Sequence, residues 1–509
     1  MVTQNRFSDL VSRQQIGLVL GPALFAGSLL FSPFDIPASA NTAFASTLWI
    51  AAWWVTEAIP IPATSLLPIV LFPITGVVSA TGATAPYADP VVFLLLGGFL
   101  LALGIERWDL HRRIALTVVS LVGVRADRLL LGFMIATAFL SMWISNSATA
   151  MLMVPIGIAV IVSVGAVDEH DRKPTEGEEE NDLLVGVRGV PADRPATGFG
   201  LALMLGIAYS ASIGGVATLI GSPPNAVFAG VAESRLDIQI SFLDWLVFAG
   251  PLSIVFLFVT WLLLVKLLRP EIPIEQGAED VIRTQREGLG GISRGERRML
   301  AVFTLVAAGW LLRPFVLQPL FPAITDTVVA IVGGILLFVI PVDYEAREFL
   351  LDWSDVARLP WGVLLLLGGG FSLANAFRES GLDTVIAEGF AGIAGVPLVV
   401  LVFVIAIVVV FLTEVTSNTA TATVFMPIMI SLGITLGESP LMLMATAALA
   451  ASMAFMLPVA TPPNAVVFGS GYVTIPQMSR IGLWLNLLGI IAIIVLTYLW
   501  LPIVFATAG

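Results

Sequence analysis

The sequence predicts an all-α, polytopic membrane protein built as two inverted-topology repeats, each with a re-entrant hairpin. Three observations predict it. The chain of 509 residues is 58% hydrophobic and only 12% charged, with a mean hydropathy of +0.97, far outside the range of a soluble globular chain. Apolar runs of spanning length recur from end to end. Three phrases each occur twice, in the same order along the chain. A transmembrane barrel would show alternating segments of about ten residues instead.

Clear apolar runs lie at 15–32, 43–59, 62–78, 90–105, 245–268, 299–320, 361–377, 396–412 and 481–506. The first lacks a small-residue cleavage site at its end, so it reads as a retained span rather than a removed signal peptide. Residues 1–89 are then N-terminal scaffold helices. The duplication begins after them. LLLGGFLLALGIERWDL at 94–110 pairs with LLLGGGFSLANAFRESGL at 365–382, and ISNSATAMLMVPI at 144–156 pairs with TSNTATATVFMPI at 416–428, both at an offset of 272. IGSPPNAVFAG at 220–230 pairs with VATPPNAVVFGSG at 459–471, at an offset of 239. The deficit of 33 matches a hydrophilic insert at about 166–198, whose stretch 168–193 carries nine acidic residues and accounts for much of the net charge of −12. Such a stretch reads as a solvated loop. The first repeat is thus 90–268, with a hairpin at about 129–166. A cytoplasmic linker follows at 269–299, then scaffold helices at 300–360. The second repeat is 361–509, with a hairpin at about 396–436.

Basic residues set the orientation. Arg6 and Arg13 precede the first span, Arg107, Arg112, Arg113, Arg125 and Arg128 cluster after the first GGF segment, and 269–299 carries six arginines. These regions are placed in the cytoplasm with the N-terminus. The first GGF helix then runs outside to inside and the second inside to outside, the inverted layout of many secondary transporters.

The small polar residues inside apolar runs need a purpose, because hydroxyls and amides are costly in lipid. Ser and Asn are good helix N-caps, so each SN phrase presents a helix N-terminus with free N–H groups and partial positive charge. Pro223 and Pro462 fall at the favoured first helical position after Ser222 and Thr461. Gly221 and Ala460 sit in the break before them, with carbonyls free. Two hairpin tips and two broken helices would build one site: helix N-termini for an anion, carbonyls and hydroxyls for small cations. The phrases hold no Lys or Arg, so a divalent anion would be balanced by dipoles, hydroxyls and co-bound cations. The competing reading is a set of ordinary kinks and close packing through small residues; four phrases in duplicated register weigh against it.

At these residues the chain resembles the divalent anion/sodium symporter family of dicarboxylate, citrate and sulfate carriers, whose signature is a pair of Ser-Asn-Thr motifs. The second motif is intact as Ser417-Asn418-Thr419. The first departs as Ser145-Asn146-Ser147, which keeps the hydroxyl and loses a methyl. The resemblance implies eleven spanning helices plus two hairpins, a homodimer in the cell membrane, an elevator-like motion and two sodium sites. Carried over by motif, one sodium site comprises Ser141, Ser145, Asn146 and Gly221. The other comprises Thr413, Thr416, Asn418 and Ala460. The substrate would meet Asn146, Ser147, Ser222, Asn418, Thr419, Thr461 and Pro462. Sodium-coupled symport of C4-dicarboxylates is the activity this implies, with sodium as coupling ion and no cofactor. A sodium-independent exchanger, a citrate carrier or a sulfate carrier are the alternatives.

An enzyme reading finds little chemistry. There is no cysteine, only His111 and His170, both read as loop residues, and only Lys173 and Lys266. Glu57, Glu106 and Glu414 lie near spans without an evident partner. Glu414, beside the second motif, is expected to order the hairpin by hydrogen bonding or simply to cap and pack. Nothing points to a nucleic-acid partner; the expected partners are the anion, sodium, the bilayer and a second copy.

Overall fold

The computed structural model describes residues 2–31, 36–123, 125–165, 198–270, 275–390, 392 and 395–505. Among them the protein is helical throughout, apart from an antiparallel ribbon pairing Pro341–Asp343 with Glu348–Phe349. Eight of the described helices are long and apolar enough to cross a membrane: Gln14–Phe31, Ala80–Arg107, Asn146–Val164, Gly198–Val216, Phe242–Leu268, Arg294–Leu320, Asn418–Leu436 and Ile475–Phe505. Shorter apolar helical stretches are Ile61–Thr75, interrupted at Ser65 and Leu66, and the helices Asp326–Val339, Leu398–Thr413 and Pro440–Ala451. The hydrophilic insert, with His170 and Lys173, lies outside the described residues.

Local chemistry sets where the long helices start. Asp89 accepts from Val91 N at 2.9 Å, with Pro90 opening the helix Pro90–Arg107. Ser241 with Asp244, and Ser293 with Glu296, form reciprocal capping boxes for Phe242–Leu268 and Arg294–Leu312. Gly381 and Gly437 end their helices in the left-handed conformation.

Three expectations are corrected. The run at 62–78 is not one helix: it splits into Ile61–Thr64 and Leu67–Thr75, because Pro62 and Pro68 each open a new first turn. The linker at 269–299 contains a helix, Glu275–Gly288, whose Ala278 and Ile282 are buried and which packs on Asn146–Gly165 and Leu110–Val122. His111 is not in a solvent loop. It lies half-buried in the first turn of Leu110–Val122, its Nδ1 3.1 Å from Ile105 O. Burial moves its pKa below the ordinary histidine value, and the Ile105 carbonyl opposes that shift.

The two repeats pack in a matched pattern. Ala126–Ser141 lies on Gly198–Val216 as Leu398–Thr413 lies on Pro440–Ala451. Pro223–Leu236 lies on Asn418–Leu436 as Pro462–Gly469 lies on Asn146–Gly165. The second pairing crosses between repeats, so each helix after a PPN phrase meets the hairpin of the other half. From Phe199 onward the helix Gly198–Val216 is buried on every side, which accounts for its lack of a polar face. The GGF glycines serve this packing. A Cβ on Gly98 would stand 3.1 Å from Ile220 of the first PPN phrase, and one on Gly370 2.3 Å from Thr423 of the second hairpin. Small residues at such crossings let helices approach where no hydrophobic drive separates lipid from protein.

Candidate functional site

Both hairpin helices begin at the asparagine of their phrase. Ser145 Oγ accepts from Ala148 N at 3.2 Å ahead of Asn146–Gly165, and Ser417 Oγ accepts from Ala420 N at 3.4 Å ahead of Asn418–Leu436. Thr461 Oγ1 accepts from Asn464 N at 3.3 Å, with Pro462 next. Ser222 departs from this pattern. Its backbone is extended before Pro223, but its side chain makes no cap and lies 3.3 Å from Ser452 Oγ in the other repeat.

Four residues before the cap, on the incoming arm, stands a second hydroxyl. Ser141 Oγ donates to Ala211 O at 2.7 Å and lies 2.7 Å from the Asn146 amide. The same end of that amide is 3.2 Å from both Ala211 O and Gly221 O. Read as nitrogen, it donates to all three oxygens; read as oxygen, it faces two carbonyls with no proton between. Either way Asn146 sits among a hydroxyl and two main-chain carbonyls, hard oxygen donors of the kind that hold small cations. The second half repeats the arrangement: Thr413 Oγ1 is 2.6 Å from Asn418 Oδ1 and donates to Ala451 O at 3.0 Å. Among the described residues no three His, Cys, Asp or Glu side chains gather as metal ligands.

The halves then diverge. Thr416 does not join Thr413 and Asn418. Its hydroxyl lies 2.7 Å from Thr421 Oγ1 and donates to Leu412 O at 2.8 Å. By the offset of 272 the first half carries Ile144 and Thr149 at these places, so the threonine partner is missing there, and the Thr149 hydroxyl has no hydrogen-bond partner among the described residues. Glu414 corresponds to Met142. Its Oε1 accepts from Phe455 N, Met456 N and Asn486 Nδ2 at 2.8, 2.9 and 2.7 Å, and its Oε2 from Leu457 N at 3.0 Å. The first broken helix stays helical to Val216, whereas the second ends at Ala451. The carboxylate therefore takes up N–H groups that the longer unwound segment releases. In the first half Thr218 does the smaller task, donating to Met142 O at 2.5 Å and accepting from Gly221 N at 3.1 Å.

The PPN asparagines brace both breaks. Asn225 Nδ2 lies 3.0, 3.3 and 2.7 Å from the carbonyls of Gly215, Val216 and Thr218, and Asn464 Nδ2 lies 3.2 and 3.0 Å from those of Ala454 and Leu457. The cap pattern of the phrases does not signal this role, although each asparagine is inside a duplicated phrase. The sequence signal for Asn486 is a lone amide in the apolar run GLWLNLLGII. Of the other expected residues, Ser147, Asn146 and Asn418 are half-buried, Thr419 and Gly221 are buried, and Pro462 is exposed. Ala460 is buried in the second break, its N–H donating to Leu457 O at 3.1 Å.

A family model described as the sodium:sulfate symporter transmembrane region matches residues 18–507. Among curated relatives, the sodium-dependent dicarboxylate transporter SdcS of Staphylococcus aureus strain USA300 is 42% identical over 496 residues, covering 96% of this chain and 92% of that protein. SdcS of the bovine strain RF122 / ET3-1 is 43% identical over the same shares. Among solved structures, the Alcanivorax borkumensis YdaH transporter, described as having an unusual topology, aligns over 82% of this chain and 87% of its own at a TM-score of 0.52 and 15% identity. That likeness is one of fold.

Proposed function

The chain belongs to the sodium:sulfate symporter family, and on that footing we propose that it is a sodium-coupled symporter of C4-dicarboxylates such as succinate, malate and fumarate, working by elevator-type alternating access. The relatives named as sodium-dependent dicarboxylate transporters span nearly the whole chain. The observation that carries the reading is the duplicated cluster of Ser141–Asn146–Ala211 and Thr413–Asn418–Ala451. Each asparagine heads a helix, so one residue couples a cation-binding oxygen cluster to a helix N-terminus that attracts an anion.

In this reading sodium is held by Ser141, Ser145, Asn146 and Gly221 in the first half and by Thr413, Thr416, Asn418 and Ala460 in the second, with Thr416 turning to the ion from its present partners Thr421 and Leu412. The dicarboxylate meets Asn146, Ser147, Ser222, Asn418, Thr419, Thr461 and Pro462. The repeats at 90–268 and 361–509 enter the membrane from opposite sides, each with a re-entrant hairpin, and the N-terminus is cytoplasmic. Two copies form the working dimer. The chain is a carrier in the cell membrane, not an enzyme.

Uptake of labelled succinate, citrate and sulfate by purified protein in vesicles tests this, with and without an inward sodium gradient. Succinate uptake that requires sodium is the expected result. Uptake into empty vesicles without sodium, or a preference for sulfate, overturns the assignment.

A further inference from the structure

The offset of 240 between the broken helices is set by matched contacts: Ser141 donates to Ala211 O, and Thr413 to Ala451 O. It places Ser212 opposite Ser452. Ser452 lies just past its helix, 3.3 Å from Ser222 Oγ and 3.4 Å from Ala448 O. Both distances are long for an O–H···O bond, so neither partner fully engages that hydroxyl. Ser212 is only 2% exposed, and its hydroxyl has no hydrogen-bond partner among the described residues. It is not even turned back on the preceding helical turn, the usual recourse of a buried helical serine. Its helix packs on Pro462–Gly469, as the helix before Ser452 packs on Pro223–Leu236. By the offsets of 240 and 239, Ser212 corresponds to Ser452 and Thr461 to Ser222.

We propose that Ser212 and Ser452 are a second pair of substrate-binding hydroxyls, one on each broken helix, that donate to the carboxylate oxygens of the bound dianion. This rests on the dicarboxylate reading above. The chemistry favours an anion over a cation at these two positions. Ser452 meets the hydroxyl of Ser222 at the positive end of the dipole of Pro223–Leu236, where Pro223 and Pro224 carry no N–H and hydroxyls are the donors on hand. A buried hydroxyl left unbonded is costly, and a carboxylate seated between the breaks would relieve that cost. Neither serine belongs to an SN or PPN phrase, so each would add contacts that the motifs do not supply.

The test compares purified wild type with Ser212→Ala, Ser452→Ala and Ser212→Thr. Three quantities are read: succinate affinity at saturating sodium, sodium affinity without succinate, and thermal stability without either. Each alanine variant should bind succinate about tenfold more weakly, the loss of one hydrogen bond to a charged acceptor. Sodium affinity without succinate should hold; stability should hold or rise in Ser212→Ala, because deleting an unbonded hydroxyl removes a desolvation cost, and should change little in Ser452→Ala, whose hydroxyl makes only long contacts. Ser212→Thr should retain most of the affinity. A merely structural serine would give the opposite pattern, lower stability with unchanged affinity, and that result overturns the proposal. So does a loss of sodium affinity in the absence of succinate. If wild type binds succinate and both alanine variants bind as tightly, this proposal fails alone. If wild type does not bind succinate in sodium, the dicarboxylate reading has failed and this proposal fails with it.

Discussion

Thr413 Oγ1 lies 2.6 Å from Asn418 Oδ1 across the turn of the second hairpin, and Ser141 repeats the contact with Asn146 at 2.7 Å in the first. In both halves a hydroxyl on the incoming arm is tied to the first residue of the outgoing helix. An ion that gathers these oxygens orders the helix N-terminus at the same moment, which is a physical basis for coupling.

Sodium and dicarboxylate should each raise the other's affinity by one common factor. Thr413→Ala should weaken sodium binding about fivefold, the worth of one hydrogen bond, and high sodium should largely restore its succinate affinity. Thr461→Ala should weaken succinate directly, with little restoration. Succinate titrations across a sodium series check both. Wild-type affinity that ignores sodium would remove the symport mechanism.

Asn146→Ala and Asn418→Ala should each abolish transport while the protein keeps its size-exclusion profile and helical content. Each amide serves an oxygen cluster and a helix start together. Near-normal uptake by either variant at saturating sodium would show that its amide is not part of the site.

Glu414→Ala should destabilise the protein by about 3 kcal/mol or more, because three main-chain N–H groups and the Asn486 amide lose a charged acceptor at once. Met142→Ala, at the matching place in the first repeat, removes no hydrogen-bonding side chain and should cost less. Thermal unfolding in detergent compares the two. Equal losses would mean that the carboxylate does not hold the second break together.

Deleting much of 168–193 should leave uptake largely intact, since the second repeat keeps the same core without such a segment. A well-folded deletion variant with lost activity would assign the acidic stretch a part in transport.

Much of this protein is legible in its sequence. Hydropathy and length specify a helical membrane chain, since lipid permits no unpaired backbone. The repeated phrases specify the duplication. Capping chemistry is local, so Ser145, Ser417 and Thr461 could be read as helix starts from their neighbours alone.

What only the tertiary structure decided lies where partners are far apart in the chain. Glu414 and Asn486 are 72 residues apart, and nothing near either one signals that they meet. The same holds for Ser222 and Ser452, 230 residues apart. Sequence register suggests two equivalent halves, but the first break begins after Val216 and the second after Ala451, and that difference gives Glu414 its role. A cap depends on three or four neighbouring residues and is written in their order. The pairing of a buried carboxylate with an unwound segment depends on where two helices finish, which packing settles.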